Sequence, residues 1–582
     1  MPRPGAVAEL PRLRYRLRTA GPGQTALSSC PCSTRRWILE TVSIVLFLLL
    51  AVVVSGALSR MLPIPAPVPL VQIGLGGIIG LSTSHRVDLD PELFLLLFLP
   101  PLLFLDGWRI PKDELFKDLS TIFELALGLV LITVVGMGFF IHWMIPAMPL
   151  AVAFALAAVV SPTDPIAVSA IAARVPIPKR MMHILEGESL LNDASGLVCL
   201  RFAIAAAMTG IFSAPSAALN FLWVAGAGLV IGVLVTLAVT RAKAWVTSRW
   251  GEDTGSQILV SLLIPFGSYL AAEHVHASGI LAAVGAGVTM TFAEISRQTL
   301  AVTRMRRNSV WDTIQFALNG IIFVLLGEQL PAILAGAKQT VAMTGHSAPW
   351  WLAVYIVAIV AGLAALRFLW VWASLRFTIL RNRNKEGVQM RSPEWRLVAA
   401  MSLAGVRGAI TLAGVLTLPL ALSDGTPFPA RDLAIFLAAG VIIVSLLIAS
   451  VTLPVLLRGL TMPPEPSKLA DEDAARVAAA EAAIQAIERH QHELSEKLGD
   501  ADRYAAAGAR VMDLYRERIE GLGRDRGEDA RLQERRFKEF RLVGLKAERA
   551  ALIDLIRTRR LSSESIHRLT RELDLSEARY RA

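Results

Sequence analysis

Long uncharged apolar runs constrain this chain more than any other feature. SIVLFLLLAVVVSGAL (43–58) and FLAAGVIIVSLLIASVTLPVLL (436–457) carry no ionisable residue. About 18 apolar residues in a helix span a hydrocarbon core of roughly 30 Å. Within that core a helix satisfies its own backbone, which an open strand cannot do. Of the 582 residues, 54% are hydrophobic and only 18% charged, whereas soluble domains carry about a quarter charged residues. The chain therefore reads as an all-α polytopic membrane protein in contact with the lipid bilayer.

Thirteen spans are expected, at about 37–59, 63–80, 92–108, 119–145, 149–173, 181–209, 218–240, 256–273, 278–294, 311–334, 350–375, 397–421 and 433–457. The odd-numbered connections hold twenty Lys and Arg, and the even-numbered ones hold three, Arg86, Lys338 and Arg431. Positive charge stays on the cytoplasmic side, so this asymmetry puts the odd connections and the C-terminus in the cytoplasm and the N-terminus outside. Residues 1–36 form a basic tail whose Arg3, Arg12, Arg14, Arg16, Arg18, Arg35 and Arg36 oppose export. Either the start lies downstream, the tail is an unusual exported segment, or the span count is off by one. The tail lacks the apolar core of a signal peptide. Residues 37–460 are then the membrane domain. Beyond Pro466 the composition turns rich in Ala, Glu, Arg and Leu, and Val477, Ile484, Ile487 and Leu494 recur at helical spacing. Residues 467–582 therefore read as an amphipathic helical cytoplasmic domain.

Three cysteines, Cys30, Cys32 and Cys199, have no zinc-type spacing. The net charge of +10 belongs to the cytoplasmic loops and the tail, which argues for membrane topology and against nucleic acid as a partner. GLGGIIG (74–80) does not fit a dinucleotide fingerprint and there is no Walker A loop, so any transport is gradient-driven, with no cofactor and no enzymatic step. The DTG triplet (253–255) is a coincidental match to a protease motif, and His274 and His276 read as solvated residues at a helix end.

Ionisable residues inside a span each cost at least about 2.5–3.5 kcal/mol at mid-bilayer, which marks them as functional candidates. They are Asp106 in FLPPLLFLDGW, Asp164 in VVSPTDPIAVS, and Glu188, Asp193 and Arg201 in the sixth span. Glu328 follows in the tenth, Arg367 in the eleventh and Arg407 in AGVRGAITLAG of the twelfth. Asn319 and Glu328 are left between helix–helix bonding and a place on the pathway. Pro162 and Pro165 interrupt the fifth span. Half-helices with freed carbonyls at membrane depth suit cation coordination. In the sixth span, residues four apart share a face, so Ser189 stacks on Asp193 and Glu188 on Asn192. Asp164, Asp193, Ser189 and the Thr163 carbonyl together offer oxygens to a hard monovalent cation such as Na⁺. Glu188 lies about 100° round the helix and is expected to pair with Arg367. Glu186 lies nearer the cytoplasmic end, where water reaches it. A proton and a cation competing for Asp193, at a site open alternately to each side, would amount to exchange.

FLPPLLF (98–104), SPTDPIAV (161–168), ESLLNDASG (188–196) and GVRGAITLA (405–413) resemble the motifs of the NhaP/NHE-type cation/proton antiporters, the monovalent cation:proton antiporter-1 family, over residues 37–460. The resemblance implies thirteen helices in inverted repeats, with the fifth and twelfth crossing as broken helices beside a dimerisation domain, hence a homodimer in the plasma membrane. It also implies Na⁺ (or Li⁺ or K⁺) exchange for H⁺ and control of internal pH and Na⁺. Asp193 matches the ion- and proton-binding aspartate. Asn192 matches the preceding asparagine associated with electroneutral exchange. Thr163, Asp164 and Ser189 match further ligands, Glu188–Arg367 a structural ion pair, and Arg407 a core-stabilising arginine. Many relatives carry an acid where this chain has Leu105; its acid is Asp106, one residue later, which leaves open whether Asp106 reaches the ion. A cation channel, or a membrane sensor whose output is the C-terminal helices, are the alternatives. Truncation near Pro466 would abolish a sensor's function and spare a transporter's exchange.

Overall fold

The computed structural model describes residues 32–62, 67–82, 91–109, 128–164, 168, 179–209, 214–295, 301–336, 341, 348–382, 395–422, 425–458, 466–498, 501–523, 528–557 and 563–581. It divides into two units, Met1–Leu460 and Thr461–Ala582. Apart from one isolated bridge between Ala421 and Pro427, the regular structure of the described residues is helical.

The first unit holds α1 (Cys32–Met61), α2 (Val68–Ser82), α3 (Pro91–Arg109), α4 (Leu129–Met144), α5 (Leu150–Val160), α6 (Lys179–Thr209) and α7 (Ala214–Trp250). There follow α8 (Thr254–His274), α9 (Gly279–Ile295), α10 (Ala301–Ala335), α11 (Trp350–Asn382), α12 (Trp395–Leu403), α13 (Ala409–Leu416) and α14 (Arg431–Leu457). Among the described residues, seven of these (α1, α6, α7, α8, α10, α11 and α14) are long and apolar enough to cross a membrane. Helices α2, α4, α5 and α9 are apolar but shorter. Outward-facing Phe47 and Leu50 of α1, Phe139 of α4, Leu263 of α8 and Val451 of α14 are well exposed, as a lipid-facing surface requires.

Several helices differ in length from the apolar runs that nucleate them. Helix α1 begins at Cys32, inside the segment read as a tail. Helix α7 runs 37 residues to Trp250, about 55 Å at 1.5 Å per residue, so its last turns leave the hydrocarbon core. There Arg249 lies over the Trp245 ring at 4.7 Å, a pairing suited to the headgroup region.

Helices α1, α2, α3, α7, α8, α9 and α10 pack closely among themselves, and so do α4, α5, α6, α11, α12, α13 and α14. Among the described residues, contacts between the groups are sparse and come mainly from α3 and α10 against α6, α13 and α14. Close crossings inside the first group depend on small residues. A Cβ on Gly76 or Gly80 of α2 would run into the α10 backbone at Val324 or Glu328.

The second unit contains two helical hairpins, α15 (Pro466–Leu498) with α16 (Ala501–Gly523), and α17 (Glu528–Arg557) with α18 (Ser563–Arg581). Val477, Ala480, Ile484 and Ile487 make the shielded stripe of α15. In the second hairpin Arg549 bonds Asp574 and, at 2.7 Å, Glu577.

Candidate functional site

Two helix breaks define the site. Helix α5 stops at Val160, and residues 161–164 (SPTD) are non-helical, as a helix approaching Pro165 must be. The predicted second half of that span lies outside the described residues, apart from Val168. The twelfth span is likewise two pieces, α12 and α13, separated by residues 404–408. The breaks face each other and share a hydrogen bond, Asp164 N–H to Val406 C=O at 2.7 Å.

Arg407, 5% exposed, ties this crossing together. Its Nε donates to the Val160 carbonyl at 2.9 Å, and Nη1 donates to Gly405 O. Its backbone N–H donates to Ser445 Oγ of α14 at 3.3 Å. It thus occupies a carbonyl that helix α5 leaves open where it ends. The two glycines beside it make room for charged neighbours. A Cβ on Gly408 would overlap the Asp164 carboxylate, and one on Gly405 would lie 3.0 Å from Arg367 Cδ.

Helix α6 supplies the opposing wall on two faces. On one, Ser189 Oγ donates to Asp193 Oδ2 at 3.3 Å. On the other, Glu188 and Arg367 of α11 form a bidentate pair at 2.5 and 2.8 Å, with both side chains buried. Arg367 Nε also donates to Met401 O of α12 at 3.0 Å. Thr163 links this pair to the break: its hydroxyl accepts from Asn192 Nδ2 at 2.9 Å and reaches Glu188 Oε1 at 3.5 Å. Among the described residues, the buried Asn192 amide oxygen has no hydrogen-bond partner.

These elements surround a cavity of about 390 Å³, its open mouth included. Asp164, Thr163, Ser189 and Asp193 line it, with Gly408, Thr411 and neighbours of α13 opposite. From the other helix group come Leu102 and Asp106 of α3 and Asn319 of α10. Three carboxyl groups facing one cavity favour positive charge there, proton or metal cation. The hydroxyl and backbone oxygens beside them complete a donor set for a hard cation.

Not every sequence candidate comes to this place. Asn192 does not line the cavity and acts on it through Thr163. Leu105 is buried against Phe104, Trp108 and Trp311, so the one-residue offset turns Asp106, and not Leu105, to the cavity. Arg201 is remote, paired with Glu273 at 2.8 Å. Glu328 is buried on α10 beside α2 and does not line the cavity. Asp253 of DTG is the N-cap of α8, accepting from Ser256 N–H at 2.8 Å. The Ser256 hydroxyl first, and then its N–H, hold the Asp253 carboxyl below the usual range. Among the described residues no His, Cys, Asp or Glu cluster of three has metal-holding geometry. Sequence reasoning missed Gly405 and Gly408; their signal was two glycines flanking a charge inside an apolar span.

The family described as "Sodium/hydrogen exchanger, transmembrane" matches residues 46–459. The chain is 44% identical over 542 residues to the uncharacterized Na(+)/H(+) exchanger YjcE of Escherichia coli K12, covering 92% of this chain and 98% of that protein. It is 38% identical to the sodium, potassium, lithium and rubidium/H(+) antiporter of Bacillus pumilus over 538 residues, 90% of this chain and 76% of that one. In fold it resembles the sodium proton antiporter MjNhaP1 of Methanocaldococcus jannaschii, with a TM-score of 0.56 at 18% identity, covering 73% of this chain and 99% of the other.

Proposed function

Because the chain belongs to the sodium/hydrogen exchanger family, we propose that it exchanges Na⁺ for H⁺ by alternating access, with proton and cation competing at Asp193. It is a multi-pass membrane transporter and not an enzyme. The observation that carries the mechanism is the cavity at the seam of the two helix groups, with Asp193 and Ser189 on one wall and Asp164 at an unwound break on another. Sparse contact across the seam suits sliding of one group past the other, which opens the site to each side in turn. The ions are cargo, and the cycle needs no cofactor.

Asn192 supports one-for-one, electroneutral exchange. It stands next to Asp193 yet carries no charge and holds Thr163, so Asp193 is left as the α6 carboxylate at the cavity to trade one proton for one cation. The name of the Bacillus relative makes K⁺, Li⁺ and Rb⁺ substrates to test beside Na⁺. The arginine asymmetry supports a cytoplasmic C-terminal unit and an external N-terminus. Control of internal pH in the plasma membrane, as a homodimer, fits the same reading.

The test is a preset acid-inside pH gradient in everted vesicles held at zero membrane potential. Adding Na⁺ is expected to collapse the gradient, and a series with K⁺, Li⁺ and Rb⁺ ranks the cargo. A gradient that survives all four cations would rule out exchange, and survival alongside cation uptake would indicate a channel.

Gly408 offers a sharper check on the geometry. Gly408→Ala forces its new methyl group into the space of the Asp164 carboxylate. Overpacking costs about 1–3 kcal/mol, so apparent cation affinity is expected to fall about five- to a hundredfold. Gly414→Ala is the control, because its Cβ would make ordinary contacts at 3.4 Å with Leu197 and Val159. Equal affinities for the two variants would contradict the proposed role of Asp164.

A further inference from the structure

Three polar stripes leave the cavity in the same direction. Helix α6 carries Glu186, Ser189 and Asp193; α10 carries Asp312, Gln315 and Asn319; α3 carries Asp106 and Arg109. Steps of three and four residues keep each stripe on one helix face. The inner members, Ser189, Asp193, Asn319 and Asp106, line the cavity. The outer members approach water: the Arg109 and Asp312 side chains are 40% and 64% exposed, and Glu186 is half-buried. All three stripes run toward helix ends that adjoin the arginine- and lysine-rich connections.

At the outer end a polar contact, beside the Trp108–Trp311 ring contact, joins the two helices that the first group contributes to the cavity. Arg109 Nη1 donates to Gln315 Oε1 at 2.8 Å, and Nη2 donates to Asp312 Oδ1. The pair holds the guanidinium on α10, one turn outward from Asp106 on its own helix.

We propose that Arg109, clasped to α10 by Asp312 and Gln315, is a charge gate at the cytoplasmic entrance of the ion path between α3, α6 and α10. The proposal rests on the exchange reading above. While Asp312 balances it, Arg109 adds no net positive charge to the entrance. Without that balance its charge faces incoming cations, and field lines focused in a low-dielectric funnel make such a charge felt at a distance. Removing Arg109 instead leaves Asp312 and Glu186 to attract cations.

Everted vesicles expose the cytoplasmic face, so Na⁺ added outside enters by this route. Exposed charge pairs are worth about 0.2–1 kcal/mol, so Asp312→Asn is expected to raise the apparent KM for Na⁺ by about 1.5- to 5-fold at low salt. Arg109→Gln is expected to lower it, and the double variant Arg109→Gln/Asp312→Asn to return it near wild type. Each single effect shrinks as choline chloride screens the charges, while the maximal rate changes little. A clasp that only braces the helices predicts that both single variants change KM in the same direction, with the double variant no better. That pattern, or unchanged KM in all three, would overturn the gate. Failure of the exchange reading is a separate result, seen as no gradient collapse by the wild-type protein.

Discussion

Asp193→Asn is expected to abolish cation-driven collapse of a pH gradient while leaving the protein folded. Asparagine matches aspartate in size, and its amide oxygen can still accept from Ser189, which now bonds Asp193 Oδ2 at 3.3 Å. What disappears is the charge and the proton site together. Loss of one partner from a buried, hydrogen-bonded charge interaction costs about 2–5 kcal/mol, or a thirty- to several-thousandfold loss of apparent affinity. Ser189→Ala removes one neutral donor to that carboxylate and is expected to cost less, about 1.5–3 kcal/mol. The measurement is dequenching of a pH dye in everted vesicles, with detergent-solubilised protein checked for an unchanged Tm. A folded Asp193→Asn protein exchanging Na⁺ at the wild-type rate would end the proposal that Asp193 carries the transported charge.

The second large effect concerns stability. Arg367→Ala leaves Glu188, 1% exposed, as a buried charge without its bidentate partner. Breaking a buried pair in this way costs about 3–5 kcal/mol, a large share of a typical 5–15 kcal/mol total. The expected result is a marked loss of Tm and of accumulated protein. Removing both partners, Glu188→Leu with Arg367→Leu, is expected to recover much of that stability, because an apolar pair carries no desolvation cost. It is not expected to restore exchange, since Thr163 loses the Glu188 oxygen that its hydroxyl reaches. An Arg367→Ala protein as stable as wild type would show that the pair does not hold these helices.

Much of the site is legible because it follows from rules that act within a few residues. Two prolines around Thr163 and Asp164 forbid a continuous helix wherever the segment ends up. The four-residue step from Ser189 to Asp193 puts both on one face, and the one-residue step from Glu188 turns it elsewhere. Helix lengths were less legible. Helix α7 continues to Trp250 well past its apolar run, since arginine and tryptophan tolerate the interface where the hydrophobic signal stops.

By itself, the sequence determined a bundle of membrane helices, the places where two of them break, and which polar residues share a helix face. Backbone hydrogen bonding repeats every four residues, so those properties are local. Only the tertiary structure decided that Glu188 meets Arg367, 179 positions away, and that Arg407 reaches the end of α5. It also decided that Asp106, not Leu105, looks into the cavity, and that Gly408 leaves room for Asp164. Such meetings depend on how distant helices rotate and cross as their side chains pack, and no local period encodes that rotation.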